Sequence, residues 1–183
     1  MALLIVVILL VVATILYGIQ VQRDLVKREE IVKNSLSNIG IQMQSRWDAL
    51  IQLANTVKGY KDYETDTLLK VVDARKGNNF NSVEDLNNGS KDFNEAMKEL
   101  NVLVERYPDL KASNLFTELM SGINLYEDKV RISRQIYNDT ATKHNQAIRM
   151  FPGSVFAKRL NFVPVEYLET PKEKVEMPDL KGV

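Results

Sequence analysis

Residues Ala2 to Leu16 read ALLIVVILLVVATIL, and apolar character persists through Ile19 and Val21 until Arg23 and Asp24 end it. At 1.5 Å per residue, some twenty residues make a helix of about 30 Å, the thickness of a bilayer's hydrocarbon core. Nothing in the run is charged, and each Leu, Ile and Val adds roughly a few tenths of a kcal/mol to insertion. The run ties the chain to a membrane, so the rest of it must fold beside one. A cleaved secretory signal is the competing reading. It calls for a basic start, a shorter apolar core and small residues at the cleavage point. No Lys or Arg precedes this run, and Leu16-Tyr17-Gly18 offers no such point. Residues 1–22 are therefore read as an uncleaved anchor in the cell membrane. Arg23, Lys27, Arg28 and Lys33 follow it, and the positive-inside rule then places the C-terminal part in the cytoplasm.

About 160 residues follow the anchor, enough for one domain with a sizeable core. Lys plus Arg and Asp plus Glu are both 24. A balanced charge argues against nucleic acid, which needs concentrated positive charge to displace counterions. With no Cys there is no disulfide framework, thiolate metal site, cysteine nucleophile or lipidated cysteine anchor. Four of the five Pro lie beyond residue 150. So long a stretch with few breakers leans to helix.

Apolar spacing supplies the architecture. Val32, Leu36, Ile39, Met43, Arg46, Leu50, Leu53, Val57 and Tyr60 step alternately by four and three, an a/d seam with one charged interruption. Strands repeat every two residues and cannot produce it. A further helical segment spans Asp62 to Arg75 and is closed by Gly77-Asn78-Asn79. Asn78 to Ser90, NNFNSVEDLNNGS, reads as the one long loop. Lys91 to Arg106 is an amphipathic helix with Phe93, Met97, Leu100 and Val104 inward, broken at Tyr107-Pro108. Ser113 or Asn114 caps the last helix. There Phe116, Leu119, Ile123, Tyr126, Val130, Ser133, Tyr137, Thr140, His144, Ala147 and Phe151 keep the three-four alternation, and Pro152-Gly153 ends it. Such spacing calls for shallow-angle packing against other long helices. Read alone, the first seam favours one continuous helix with a weak point at Arg46.

Two stretches resemble the LemA family of bacterial membrane proteins. The first is Ile39 to Gly77, with an I-D-V-Q-L-like run, an Arg-aromatic-Asp step at Arg46-Trp47-Asp48, T-V-K-G-Y and a closing A-R. The second holds Y-P-D-L-K-A at Tyr107–Ala112, F-x-x-L at Phe116–Leu119, R-x-x-Y-N at Arg134–Asn138, an aromatic-Asn step at His144-Asn145, and I-R-x-F-P at Ile148–Pro152. This chain is similar to a divergent member: Ile51 stands where the family has Pro, Tyr63 where it has His, and His144 where it has a second Tyr. The resemblance implies an all-α, up-and-down four-helix bundle over residues 23–162 on the N-terminal transmembrane helix. It also implies a break near residues 46–51, at the family proline, and no established biochemical activity. Residues 163–183 are expected to form a largely disordered tail.

Each candidate site has a bland and a sharp reading. His144, the single histidine, has Thr140, Ala141, Ala147 and Ile148 at helical ligand spacings, so no carboxylate can join it in a metal site. It reads as a hydrogen-bonded seam residue. Arg46 pairs with an acid on a neighbouring helix or marks a turn; the sharper alternative is recognition of phosphate or carboxylate. Arg131 and Arg134 cover the bundle edge and pair locally, or bind an anionic lipid or a partner. Tyr137-Asn138 and His144-Asn145 lie seven apart on one face and suggest an inter-helix hydrogen-bond ladder that sets register, or a ligand groove. Phe151 to Tyr167, including Phe156 and Phe162, is too apolar for a free tail. It closes one end of the bundle or docks another protein.

No catalytic set, cofactor motif or metal cluster is legible. The expected function is a membrane-anchored helical scaffold or adaptor that binds a protein partner or its own copies. The alternative is a lipid-surface or membrane-organising protein.

Overall fold

The computed structural model describes residues 1–60 and 80–169. All regular structure among them is helical: α1 (Ala2–Tyr60), α2 (Val83–Val104), α3 (Pro108–Lys111), α4 (Asn114–Arg149) and α5 (Gly153–Leu160). The segment expected to be helical from Asp62 to Arg75, with its closing Gly77, lies outside the described residues.

α1 is continuous over 59 residues, about 89 Å. Its first part is long and apolar enough to cross a membrane and is exposed along its length. The break expected near residues 46–51 does not occur. A family proline there would remove a helical hydrogen bond, but this chain has Ile51, whose amide keeps the ladder intact. The seam also keeps its phase: Met43, Arg46, Leu50 and Leu53 are all buried. Trp47 and Ala54 widen the stripe into a face.

The loop expected from Asn78 to Ser90 is also corrected, because α2 already begins at Val83. Ser82 is extended and its hydroxyl accepts from the Asp85 amide at 3.0 Å, while the Asp85 carboxylate accepts from the Ser82 amide at 3.1 Å. This reciprocal box satisfies two of the otherwise orphaned amides at the helix start. It overrides the poor helix propensity of the Asn-rich turn that follows. Leu86, Phe93, Ala96, Leu100, Leu103 and Val104 form the buried face of α2. Pro108 opens α3, where its missing amide costs nothing. Ser113 then caps α4 by accepting from the Phe116 amide at 3.2 Å.

Side-chain pairs fix the directions. Ser35 meets Thr140 and Arg46 meets Glu127, so α4 runs antiparallel to α1. Arg46 meets Asn94 and Arg134 meets Ser90, so α2 runs parallel to α1 and antiparallel to α4. The main core lies between these helices, with Ile39, Met43, Trp47, Leu50, Leu53, Leu86, Leu100, Ile123, Val130 and Tyr137 at its centre.

The α4 seam follows expectation from Phe116 to Tyr137; beyond it His144 stays buried, but Ala141, Asn145 and Ile148 replace the expected Thr140 and Ala147 as the neighbouring buried positions. Phe151, placed on the seam by extrapolation, is 84% exposed because the helix stops at Arg149. The chain turns through a cis Phe151–Pro152 peptide into α5. A second, small cluster forms here from Leu25, Ile148 and Ala157, with Val21, Phe156 and Phe162 packed on it. Two glycines permit the contact. A Cβ on Gly153 would lie 2.0 Å from the Ala147 carbonyl oxygen, and one on Gly18 would meet the Phe156 ring at 3.2 Å.

α5 ends at Asn161 in the left-handed region (φ 59°). From Phe162 to Glu169 the chain runs without helix back along α4, and Leu168 is 3% exposed in the main core. The packed body thus extends past residue 162, where the tail was expected to begin. Residues 170–183 lie outside the described residues.

Candidate functional site

Two features of α4 bring most of the candidate residues together. One is the face that carries the returning segment, residues 163–169. Asn145 both donates to the Val165 carbonyl and accepts from the Val165 amide, each at 2.9 Å. Asn138 does the same for Leu168, at 3.1 and 2.9 Å. Tyr137 donates its hydroxyl to the Glu166 carbonyl at 2.9 Å, His144 Nε2 meets the Val163 carbonyl at 3.2 Å, and Arg134 donates to the Glu169 carbonyl at 2.8 Å. Facing a carbonyl, Nε2 must carry the proton. Nδ1 is buried without a partner.

The register follows from geometry. Seven helical residues from Asn138 to Asn145 rise about 10.5 Å, and three extended residues from Val165 to Leu168 span about 10 Å. The two amides therefore meet two peptide units of an antiparallel segment in phase. Just before them, Pro164 has no amide to satisfy. The ladder expected between helices is instead a clamp on an extended backbone, and Tyr137, Asn138, His144, Asn145 and Arg134 all belong to it.

Burial, and next the neighbouring Glu166 carboxylate, raise the Tyr137 phenol above its ordinary range. A raised folded-state value means that its contribution to stability is whole below about pH 10 and is lost as pH climbs through that value. We expect the wild-type protein to lose thermal stability above about pH 10 more steeply than Tyr137→Phe; coincident pH profiles would refute the hydroxyl's role.

The second feature is a groove of about 690 Å³ between α2 and α4, lined among others by Arg46, Asn94, Lys98, Glu127, Arg131 and Arg134. Arg46 is 3% exposed. Its guanidinium pairs with Glu127 at 3.0 Å, donates to Asn94 at 3.3 Å, and stacks 3.6 Å above the Phe93 ring, whose edge contact with Trp47 completes the floor. Its Nε–H has no partner. Desolvation pushes Arg46 down to about 10 despite the attraction of Glu127, and Arg134 pushes it the same way, so it remains a cation at neutral pH. The pairing reading of Arg46 describes its geometry, and the turn reading does not.

Arg134 is also lowered by burial, against the attraction of Glu127, and among the described residues its side-chain hydrogen-bond partners are neutral: Ser90 at 3.1 Å and Asn87 at 2.9 Å. It does not pair locally as expected. Arg131 does, with Asp128 at 3.2 Å on the exposed rim. Phe156 and Phe162 pack on the small cluster beside the anchor, and the Phe162 ring also meets the His144 ring edge-on, with centroids 6.4 Å apart. Sequence reasoning placed Phe93 inward but gave it, Glu127, Asn94 and Trp47 no part in a site. Arg46-Trp47 on the seam was the available signal, but their partners are set by a register that no local spacing encodes. Among the described residues, no three His, Asp or Glu side chains gather to hold a metal ion.

An apolar span continuous with an antiparallel helical body defines a single-pass membrane protein that displays an all-α bundle. The family model for the LemA family matches residues 35–181, and the chain belongs to that family. It is 27% identical over 168 residues to "Protein LemA" of Metamycoplasma hominis, covering 89% of this chain and 77% of that protein. It also matches the magnetosome protein MamQ of Magnetospirillum gryphiswaldense, 29% identical over 75 residues, which is 41% of this chain and 28% of MamQ. MamQ 2 of Paramagnetospirillum magneticum is 27% identical over 77 residues, again 28% of its length.

Proposed function

We propose that this protein is a membrane-anchored adaptor whose groove between α2 and α4 receives an acidic segment of a protein partner, or of a second copy of the chain. The observation that carries this reading is the pair of guanidiniums, buried Arg46 and half-buried Arg134, in a groove lined by Arg46, Lys98, Arg131 and Arg134 against Glu127, Asp139 and Glu169. Lys98 adds positive charge at the rim, where Arg131 is paired with Asp128. A carboxylate entering there would meet forked donors already held in place by Phe93, Asn94, Ser90 and Asn87, which lowers the entropy lost on binding. The body lies on the cytoplasmic side in this reading, on the strength of Arg23, Lys27, Arg28 and Lys33 after the span.

Site-specific photocrosslinking in cells tests it. A photoreactive residue at Val102, which lines the groove, is expected to capture a segment rich in Asp and Glu, mapped by mass spectrometry. One at Ile132, exposed elsewhere on α4, is expected not to. Lys98→Glu with Arg131→Glu reverses the rim charge and should abolish capture at Val102. Equal capture from Ile132, or capture that survives the charge reversal, overturns the reading.

A further inference from the structure

The far end of the body carries a separate feature, independent of the groove. Because α1 and α4 are antiparallel, the turn after α4 sits level with the end of the membrane span. The contacts fix this depth: Leu25 packs against Ile148 and Ala157, and the Phe156 ring covers Gly18. Arg23 is the first charged residue after the apolar run, and Gly18 lies about 7 Å along the helix on its lipid side. A ring seated on Gly18 is therefore at the depth of the outer acyl chains.

The surface around that ring is apolar and basic. Met150 is 64% exposed, Phe151 84%, Val155 60% and Val163 67%. No acidic residue occurs between Asp139 and Glu166, whereas Lys143, Arg149, Lys158 and Arg159 do. The bases that follow the span on α1 are tempered by local acids: Arg28 pairs with Asp24, and Lys33 with Glu29 and Glu30. At the turn, the nearest acid in sequence to any of Arg149, Lys158 and Arg159 is Glu166, seven residues beyond Arg159. Apolar side chains at acyl depth flanked by cations are the composition of an element lying in the membrane interface.

We propose that residues 150–163, centred on α5, are a second membrane-contacting element. Phe151, Val155 and Phe156 enter the bilayer beside the anchor, and Arg149, Lys158 and Arg159 bind anionic lipid headgroups. The body is thus seated on the lipid surface through two points and cannot swing freely about the end of α1. The occupant is lipid because the apolar surface of the turn is continuous with that of the span.

Depth-dependent quenching tests this on the full chain reconstituted in vesicles of phosphatidylcholine and phosphatidylglycerol. Phe151→Trp and, separately, Val155→Trp place a reporter at exposed positions that the fold tolerates. Native Trp47 lies about 36 Å along α1 from Arg23 and serves as the unquenched reference. With lipids brominated near the top of the acyl chains, the added emission is expected to fall by about half and to resist aqueous iodide. Lys158→Glu with Arg159→Glu should weaken that quenching in the anionic vesicles. Quenching by iodide instead of bromine overturns the proposal. So does quenching by neither, the result expected if a second copy covers the turn.

Discussion

Replacing Asn138 and Asn145 together with alanine is expected to detach residues 163–169 from α4 and to lower the stability of the body by about 4 kcal/mol. Four hydrogen bonds to backbone groups are lost, each worth about 1 kcal/mol net. The peptide groups of Val165 and Leu168 must then find water or stay unsatisfied, and Leu168 leaves the core. Hydrogen exchange reads this directly. The amides of Val165 and Leu168 are the donors to the two asparagine side chains, and their protection should fall to that of exposed chain while the amides of α1 and α4 keep most of theirs. Each single variant should release its own peptide unit and weaken the other. Unchanged protection in the double variant would mean that apolar contacts alone hold this segment.

The ion pair across the core gives a second large effect, with an asymmetry that identifies its cause. Glu127→Ala leaves the Arg46 cation buried with only Asn94 and the Phe93 ring as partners. Stripping one member of a fully buried pair costs about 3–5 kcal/mol. Glu127 is 41% exposed, so solvent has already screened part of the attraction, and about 2–3 kcal/mol is expected. Arg46→Met removes the charge while keeping much of the volume over Phe93, and is expected to be neutral within about 1 kcal/mol. Thermal unfolding of the two variants in detergent checks the order. If Arg46→Met were the more damaging, the guanidinium would be contributing mainly through its contacts with Phe93 and Asn94.

Relatives bear on the function only as far as their likeness reaches. The match to Protein LemA of M. hominis covers most of both chains, whereas the matches to MamQ involve 28% of those proteins. A role in magnetosomes is therefore not carried over here.

Much of the helical plan is legible in the residues, and the misreadings have identifiable physical causes. The four-three spacing from Val32 to Val57 specified both the helix and its buried face, because burial at a steady angular interval leaves one solution. The break near residues 46–51 came from the family's proline, not from this chain's chemistry; with Ile51 there, backbone bonding and seam phase both favour continuation. The start of α2 was missed because Asn, Gly and Ser were weighed as loop formers. Ser82 and Asp85, three apart, were the local signal that a helix begins. Phe151 was assigned inward by extending the period one turn beyond where Pro152 and Gly153 allow a helix.

The site divides along the same line. Arg134, Tyr137, Asn138, His144 and Asn145 could be picked out as polar residues on one helical face, since spacing alone puts them there. What they touch could not: each meets a backbone group 19 to 35 residues away along the chain, and a peptide carbonyl leaves no mark in the sequence of side chains. Likewise Arg46 announced itself as a charge on a seam, but its partner Glu127 depends on how far α4 slides along α1.

By itself the sequence determined the membrane span, the helical class and the inward faces of the long helices, all consequences of periodicity and hydropathy that act within a few residues. Only the tertiary structure decided which charges meet, that the chain doubles back to be clamped on α4, and that α5 packs on α1 beside Gly18 and Leu25, where the apolar span ends. Those outcomes depend on the register between elements far apart in sequence, and register is fixed by the packing of the whole body rather than by any segment of it.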